Sequence, residues 1–317
     1  MITYKDILQA RERIEKGIYK TPLEHSIYLS DQKKQVYLKL EAQQKLKSFK
    51  IRGALSKMTN LTAEEKKRGV ITVSSGNHGS GVSYASFLMK DVKATVVVPE
   101  TTPESKVEKI RYYGATIIQK GENYDGANAY AKSLIKEKGF TYIDACSDED
   151  VISGQGTIGL EILEANPDID TILVPIGGGG MITGISIAAK AIKPGIKIIG
   201  VQTEACPAMV QSMKEEVFYE EYPSDTSICD ALIGGVGKIP YEMSKIAIDE
   251  ILVVSEKTII KAAKHLLTKE KVVSEPSGAV GIAALMEHGE KIRGREIAVV
   301  ISGGNLDQKL MKKLLEI

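Results

Sequence analysis

At 317 residues the chain has room for roughly two domains of about 150 residues each. With 43% hydrophobic and 26% charged residues it has the balance of a globular protein with ample core. A net charge of +1, with Lys and Glu scattered rather than gathered in blocks, argues against an electrostatic footprint for nucleic acid or an anionic membrane.

Cys146, Cys206 and Cys229 are far apart, odd in number and without a CxxC pair. They imply neither a disulfide framework nor a thiolate metal site, and they fit a reducing cytoplasm. The start, Met1 to Asp6, lacks the apolar run of a leader peptide. No apolar stretch approaches the ~20 residues that a membrane span needs. The expectation is a soluble cytoplasmic protein.

Short β-branched runs alternate with helical patterns almost throughout. The predicted strands are 36–41, 70–74, 94–99, 116–119, 141–144, 171–176, 197–202, 251–254 and 296–301. Several are nearly unbroken aliphatic runs, such as Ile297-Ala298-Val299-Val300-Ile301. Such strands are buried on both faces, as in a parallel sheet covered by helices. Between strands, Ile158 to Leu163 carries apolar residues at helical spacing, with Glu161 and Glu164 turned away. The class is α/β with parallel sheet. Residues 66–146 form a run of four βα units and the strands from Thr171 onward form another. This predicts two open α/β domains with the active site in the cleft between them.

Four segments carry chemistry. In Lys47-Ser48-Phe49-Lys50-Ile51-Arg52-Gly53-Ala54 one lysine follows an aromatic ring on the first turn of a predicted helix. A lysine taken at random is a solvated surface residue. Held there, Lys50 can leave water, lose its proton and form an imine with an aldehyde cofactor. Ser74-Ser75-Gly76-Asn77-His78-Gly79 ends a strand and opens a helix. An N-cap explains one serine, but the whole loop offers several donors at a positive helix end, suited to a carboxylate. His78 alone reads as a structural hydrogen-bonding histidine, and four histidines without paired spacing predict no metal site.

Gly177-Gly178-Gly179-Gly180 is a strand-to-helix turn without side chains, whose amides can converge on a phosphate. A dinucleotide site is the rival. In the G-x-G-x-x-G spacing the third glycine would fall on Ile182 or Thr183, yet Glu204 stands where a ribose-binding acid would, so the rival stays open. No Walker pattern follows the turn. Ser302-Gly303-Gly304-Asn305 closes the last strand, either as a helix-entry turn or as part of the site. Glu275, before Pro276 and Ser277, reads as a structural acid or a polar neighbour of the site.

In this order and spacing, together with Thr21-Pro22-Leu23 and Gly154-Gln155-Gly156-Thr157-Ile158-Gly159-Leu160-Glu161, these segments resemble the fold-type II pyridoxal 5′-phosphate enzymes. The likeness is to the threonine/serine ammonia-lyase (dehydratase) and serine racemase family and covers nearly the whole chain. It implies a tryptophan synthase β-like fold. The large cofactor-binding domain would comprise residues 1–65 and 148–317, with 66–147 inserted as the smaller one.

The resemblance also assigns roles. Lys50 would carry the cofactor and shuttle the α-proton, and Phe49 would pack on the ring. Asn77 would bind the ring hydroxyl, Gly177, Gly178, Gly179 and Gly180 the phosphate, and Ser302 would face the pyridine nitrogen. Ser74, Ser75, Gly76, Asn77 and His78 would surround the carboxylate of an amino-acid substrate. Ser75 matters further, because serine racemases of the family use a second serine there as the opposite-face acid/base, while many threonine ammonia-lyases have alanine.

The activity implied is elimination from L-threonine, L-serine or a related β-hydroxy amino acid, with racemisation as the alternative. A non-catalytic or dinucleotide-binding sensor is the reading from another class. Cys206-Pro207-Ala208-Met209 and Cys229-Asp230-Ala231 look more like the hydroxyectoine-utilisation dehydratase branch. Gln202 and Ala208 stand where some relatives keep cation-binding acids, so no metal is expected. A homodimer or homotetramer is expected.

Overall fold

The computed structural model describes residues 1–316. Ten strands form two sheets. They are β1 (Leu23–His25), β2 (Gln35–Lys39), β3 (Val70–Val73), β4 (Ala94–Val98), β5 (Thr116–Gln119), β6 (Thr141–Tyr142), β7 (Thr171–Pro175), β8 (Lys197–Thr203), β9 (Glu250–Val254) and β10 (Glu296–Val300). One sheet is six-stranded in the order β1-β2-β10-β7-β8-β9, and the other is four-stranded in the order β5-β4-β3-β6. Every pairing is parallel except β1 on β2.

The central strands of each sheet are buried on both faces, which is why they read as unbroken aliphatic runs. Because side chains alternate, Leu173, Ile297 and Val299 enter one core. Their neighbours Ile172, Val174, Ala298 and Val300 enter the core on the opposite face. In the four-stranded sheet Val70, Val96 and Val98 face one core, while Ile71, Val73 and Val97 face another. Each such side chain contributes about 1.5–3 kcal/mol when fully buried.

The helix Lys50–Thr59 is wedged between the two halves. Ile51, Ala54, Leu55 and Met58 pack into the core against the four-stranded sheet. On its other side Arg52, fully buried, reaches Glu41 and Glu161.

Three differences from the sequence reading have physical causes. The antiparallel β1 was not predicted, since Leu23-Glu24-His25 is a short, largely exposed edge strand without apolar alternation. Strand β6 ends at Tyr142, because Asp144 turns the chain by accepting from the amides of Cys146 and Ser147. Glu161 is not turned away to solvent. It is buried and paired with Arg52 and Lys39, charges that lie more than a hundred residues away in sequence.

Candidate active site

Parallel strands end their functional loops on one side, and ligands collect there. After β3 come Ser74 and Ser75, after β6 Asp144 to Ser147, after β7 the glycines, and after β10 Ser302 to Asn305. The last strand's loop is tied to the lysine segment by a bridge between Ser48 and Gly303 and by the Phe49 amide donating to the Ser302 carbonyl at 3.2 Å. It forms no helix entry, since the next helix begins at Gln308.

Lys50 opens the helix Lys50–Thr59, as its motif suggested. Its Nζ donates to the Ala145 carbonyl at 3.0 Å and lies 5.1 Å from the centre of the Phe49 ring. Burial holds this amine below the usual lysine range, against the opposing pull of Asp144 and Glu275. A lysine so placed spends more of its time neutral and nucleophilic.

Of the four glycines, Gly177 to Gly179 form the turn and Gly180 already begins the helix Gly180–Ile192. Gly179 has φ +90°, a region open to glycine. A methyl group on Gly180 would lie 2.8 Å from the Cys146 carbonyl oxygen, and one on Gly178 would strike the Cys146 side chain. Bare backbone is therefore required, and the first turn of the helix leaves its amides without a side-chain cap. Cys146, which the sequence reading left out of the site, lines this cradle. Burial, helped by Asp144, pushes its thiol up to about 12, so it stays neutral near pH 7.

The loop after β3 supplies no side-chain cap. Gly76 is the N-cap of the helix Asn77–Met89 and neither serine caps it. Ser74 Oγ instead accepts from the Gly76 amide at 3.2 Å, and the half-buried Ser75 hydroxyl makes no hydrogen bond among the described residues. His78 turns its ring into the four-stranded half, where Nε2 donates to the Ile143 carbonyl at 3.0 Å. Burial, with the Lys50 charge, lowers this imidazole to about 4. What His78 offers an anion is thus its backbone N–H at the helix start. Asn77 is clamped from the other half, donating to Glu275 Oε1 at 2.9 Å and accepting from Asn305 at 2.6 Å. Glu275 is accordingly a polar neighbour of the site.

Among the described residues no three His, Cys, Asp or Glu side chains group as a metal site. Nor, among the described residues, is any helix long and apolar enough to cross a membrane.

The family model of pyridoxal-phosphate dependent enzymes matches residues 14–303. The chain belongs to that family and has its α/β fold. It is 39% identical to an L-threonine ammonia-lyase of Thermotoga maritima, over 99% of this chain and 78% of that protein. It is 38% identical to a catabolic L-threonine dehydratase of Staphylococcus aureus, over all of this chain and 92% of that one. The structure of maize serine racemase superposes with a TM-score of 0.93 at 34% identity, covering 99% of this chain and 97% of that one.

The residues present fit the cofactor. A desolvated lysine stands beside an aromatic ring, and a turn bare of side chains opens a helix. Ser302, at 4% exposure, puts a neutral hydroxyl-bearing side chain just past the buried end of β10.

Proposed function

We propose that the protein is an ammonia-lyase acting on L-threonine, L-serine or a related β-hydroxy amino acid. The substrate loses its α-proton and β-hydroxyl, and the resulting enamine takes up water to give a 2-oxo acid and ammonia. The observation that carries this reading is the desolvated amine of Lys50, held against Phe49 at the mouth of the glycine turn. The named lyase relatives support it.

Pyridoxal phosphate supplies an aldehyde for amine attachment and a conjugated ring that accepts electrons from the α-carbon. Lys50 would hold it covalently, Phe49 would face the ring, Asn77 the ring hydroxyl, and Gly177–Gly180 the phosphate. The Lys50 amine would also take the α-proton. The amides at the start of the helix Asn77–Met89, with the hydroxyls of Ser74 and Ser75, orient the substrate carboxylate. Ser302 would offer the ring nitrogen a neutral hydroxyl rather than a carboxylate. That favours prompt departure of the β-hydroxyl over prolonged charge at the α-carbon.

The two sheets with their helices serve as a large part, 1–65 and 148–317, and a smaller part, 66–147. The same reading has the enzyme working in a reducing cytoplasm as a homodimer or homotetramer, which analytical ultracentrifugation measures. Assay of 2-oxo acid release over a panel of β-hydroxy amino acids is the test. Release from none of them, by protein loaded with cofactor, overturns the lyase.

Racemisation is the second reading, favoured by the unpartnered Ser75 hydroxyl and by the likeness to maize serine racemase. Chiral analysis of serine after incubation separates the two. D-serine formed by the protein and lost in Ser75→Ala supports it, and no D-serine removes it.

A further inference from the structure

Four side chains cross the cleft in a line. Lys109 Nζ, on the helix Glu104–Arg111 beside the four-stranded sheet, donates to Asn305 Oδ1 at 2.6 Å. Asn305, after β10 of the six-stranded sheet, donates from Nδ2 to Asn77 Oδ1 at 2.6 Å and to the Leu46 carbonyl at 2.9 Å. Asn77, back in the four-stranded half, donates from Nδ2 to Glu275 Oε1 at 2.9 Å, and Glu275 belongs to the six-stranded half. The line thus changes sides three times between two charged ends.

Its direction is dictated by chemistry. A lysine ammonium can only donate, and a carbonyl can only accept. With Lys109 on one atom and the Leu46 carbonyl on the other, the Asn305 amide has a single permitted orientation. That orientation presents an N–H to Asn77, so Asn77 must accept with its oxygen and point its NH₂ at Glu275 and into the cleft. Hydrogen bonds in such a buried chain polarise one another in the same sense. Burial desolvates both ends, lowering Lys109 and raising Glu275 relative to their ordinary values.

We infer that Lys109 is a positioning residue, which through Asn305 fixes which end of the Asn77 amide faces the cofactor, and so couples cofactor retention to contact between the halves. This rests on the reading that places Asn77 at the ring hydroxyl. Lys106, one turn earlier on the same helix, also crosses the cleft, to Asp230 at 3.4 Å. That pair is exposed and, among the described residues, hydrogen-bonds to none of the four, which makes it the control.

The test measures the dissociation constant of pyridoxal phosphate and the visible spectrum of the bound cofactor. The variants are Lys109→Ala, Lys109→Met, Lys109→Arg, Lys106→Ala and Asn77→Ala. Lys109→Ala and Lys109→Met are expected to weaken binding about 10-fold, the worth of roughly one charge-assisted hydrogen bond, and to shift the spectrum in the direction of Asn77→Ala. Lys109→Arg, still a donor, restores both. Lys106→Ala stays within about twofold of wild type. Should the alanine variant not fold, Lys109→Met, which keeps the aliphatic stem, carries the same comparison. Wild-type spectrum and affinity in both Lys109→Ala and Lys109→Met, with Asn77→Ala altered, overturn the inference alone. An unaltered Asn77→Ala overturns the placement of Asn77 beneath it.

Discussion

Arg52 and Glu161 form a bidentate pair two residues beyond the site lysine. Nη1 donates to Oε1 at 2.7 Å and Nη2 to Oε2 at 2.9 Å, with the guanidinium fully buried. Glu41 takes Nε and the second Nη2 hydrogen at 2.8 Å, and Lys39 adds a bond to Glu161 at 2.5 Å. Two cations and two carboxylates balance in a dry space. They join the lysine helix to β2, to the turn at Glu41 and to the helix Glu149–Ala165.

Removing one member leaves uncompensated buried charge, which costs more than the pair contributes. Glu161→Ala is expected to lower unfolding stability by about 3–5 kcal/mol, measured by denaturant titration. A loss below about 1 kcal/mol would place the quartet in solvent.

His78 predicts a pH dependence. Its folded value is lowered to about 4 from 6.5, so between those limits the unfolded chain binds the extra proton and the folded one does not. Stability is therefore fully present above about 6.5 and falls as pH drops towards about 4. The lowering is worth roughly 3 kcal/mol on the usual linkage. His78→Gln, which keeps a donor for Ile143, should flatten this slope relative to wild type. Parallel curves for the two proteins would show that the imidazole titrates normally.

The glycine turn predicts a contrast between two alanine substitutions. At Gly180 the added methyl meets backbone of Cys146, the carbonyl oxygen at 2.8 Å and Cα at 3.0 Å, neither of which can rotate away. At Gly195 nothing lies within 4 Å. Gly180→Ala should raise the dissociation constant for pyridoxal phosphate at least about 10-fold, through displacement of the phosphate-facing amides. Gly195→Ala should leave it unchanged and shift stability by no more than about 0.5 kcal/mol. Equal affinity in the two variants would remove the turn from the cofactor site.

Much of this was legible because the strands are covered on both faces. Ile172 to Val174 and Ile297 to Val300 announce themselves as aliphatic runs, and Gly, Ser and Asn at their ends mark the loops that gather at one side. Strand β1 carries no such signal, since an exposed three-residue edge buries too little to pattern its side chains. Glu161 was misread for a different reason. Helical spacing locates the polar face, but whether that face meets water or Arg52 depends on a partner more than a hundred residues away. Cys146 and Lys109 were silent in the same way, being ordinary residues given a role by what the fold sets opposite them.

The attachment of the cofactor to Lys50 is tested most directly by borohydride reduction of the loaded protein followed by peptide mapping. The expected result is a single pyridoxyl adduct on the peptide bearing Lys50, absent from Lys50→Ala together with the visible absorption band. An adduct on another lysine, or no adduct from protein that has taken up the cofactor, would contradict the account.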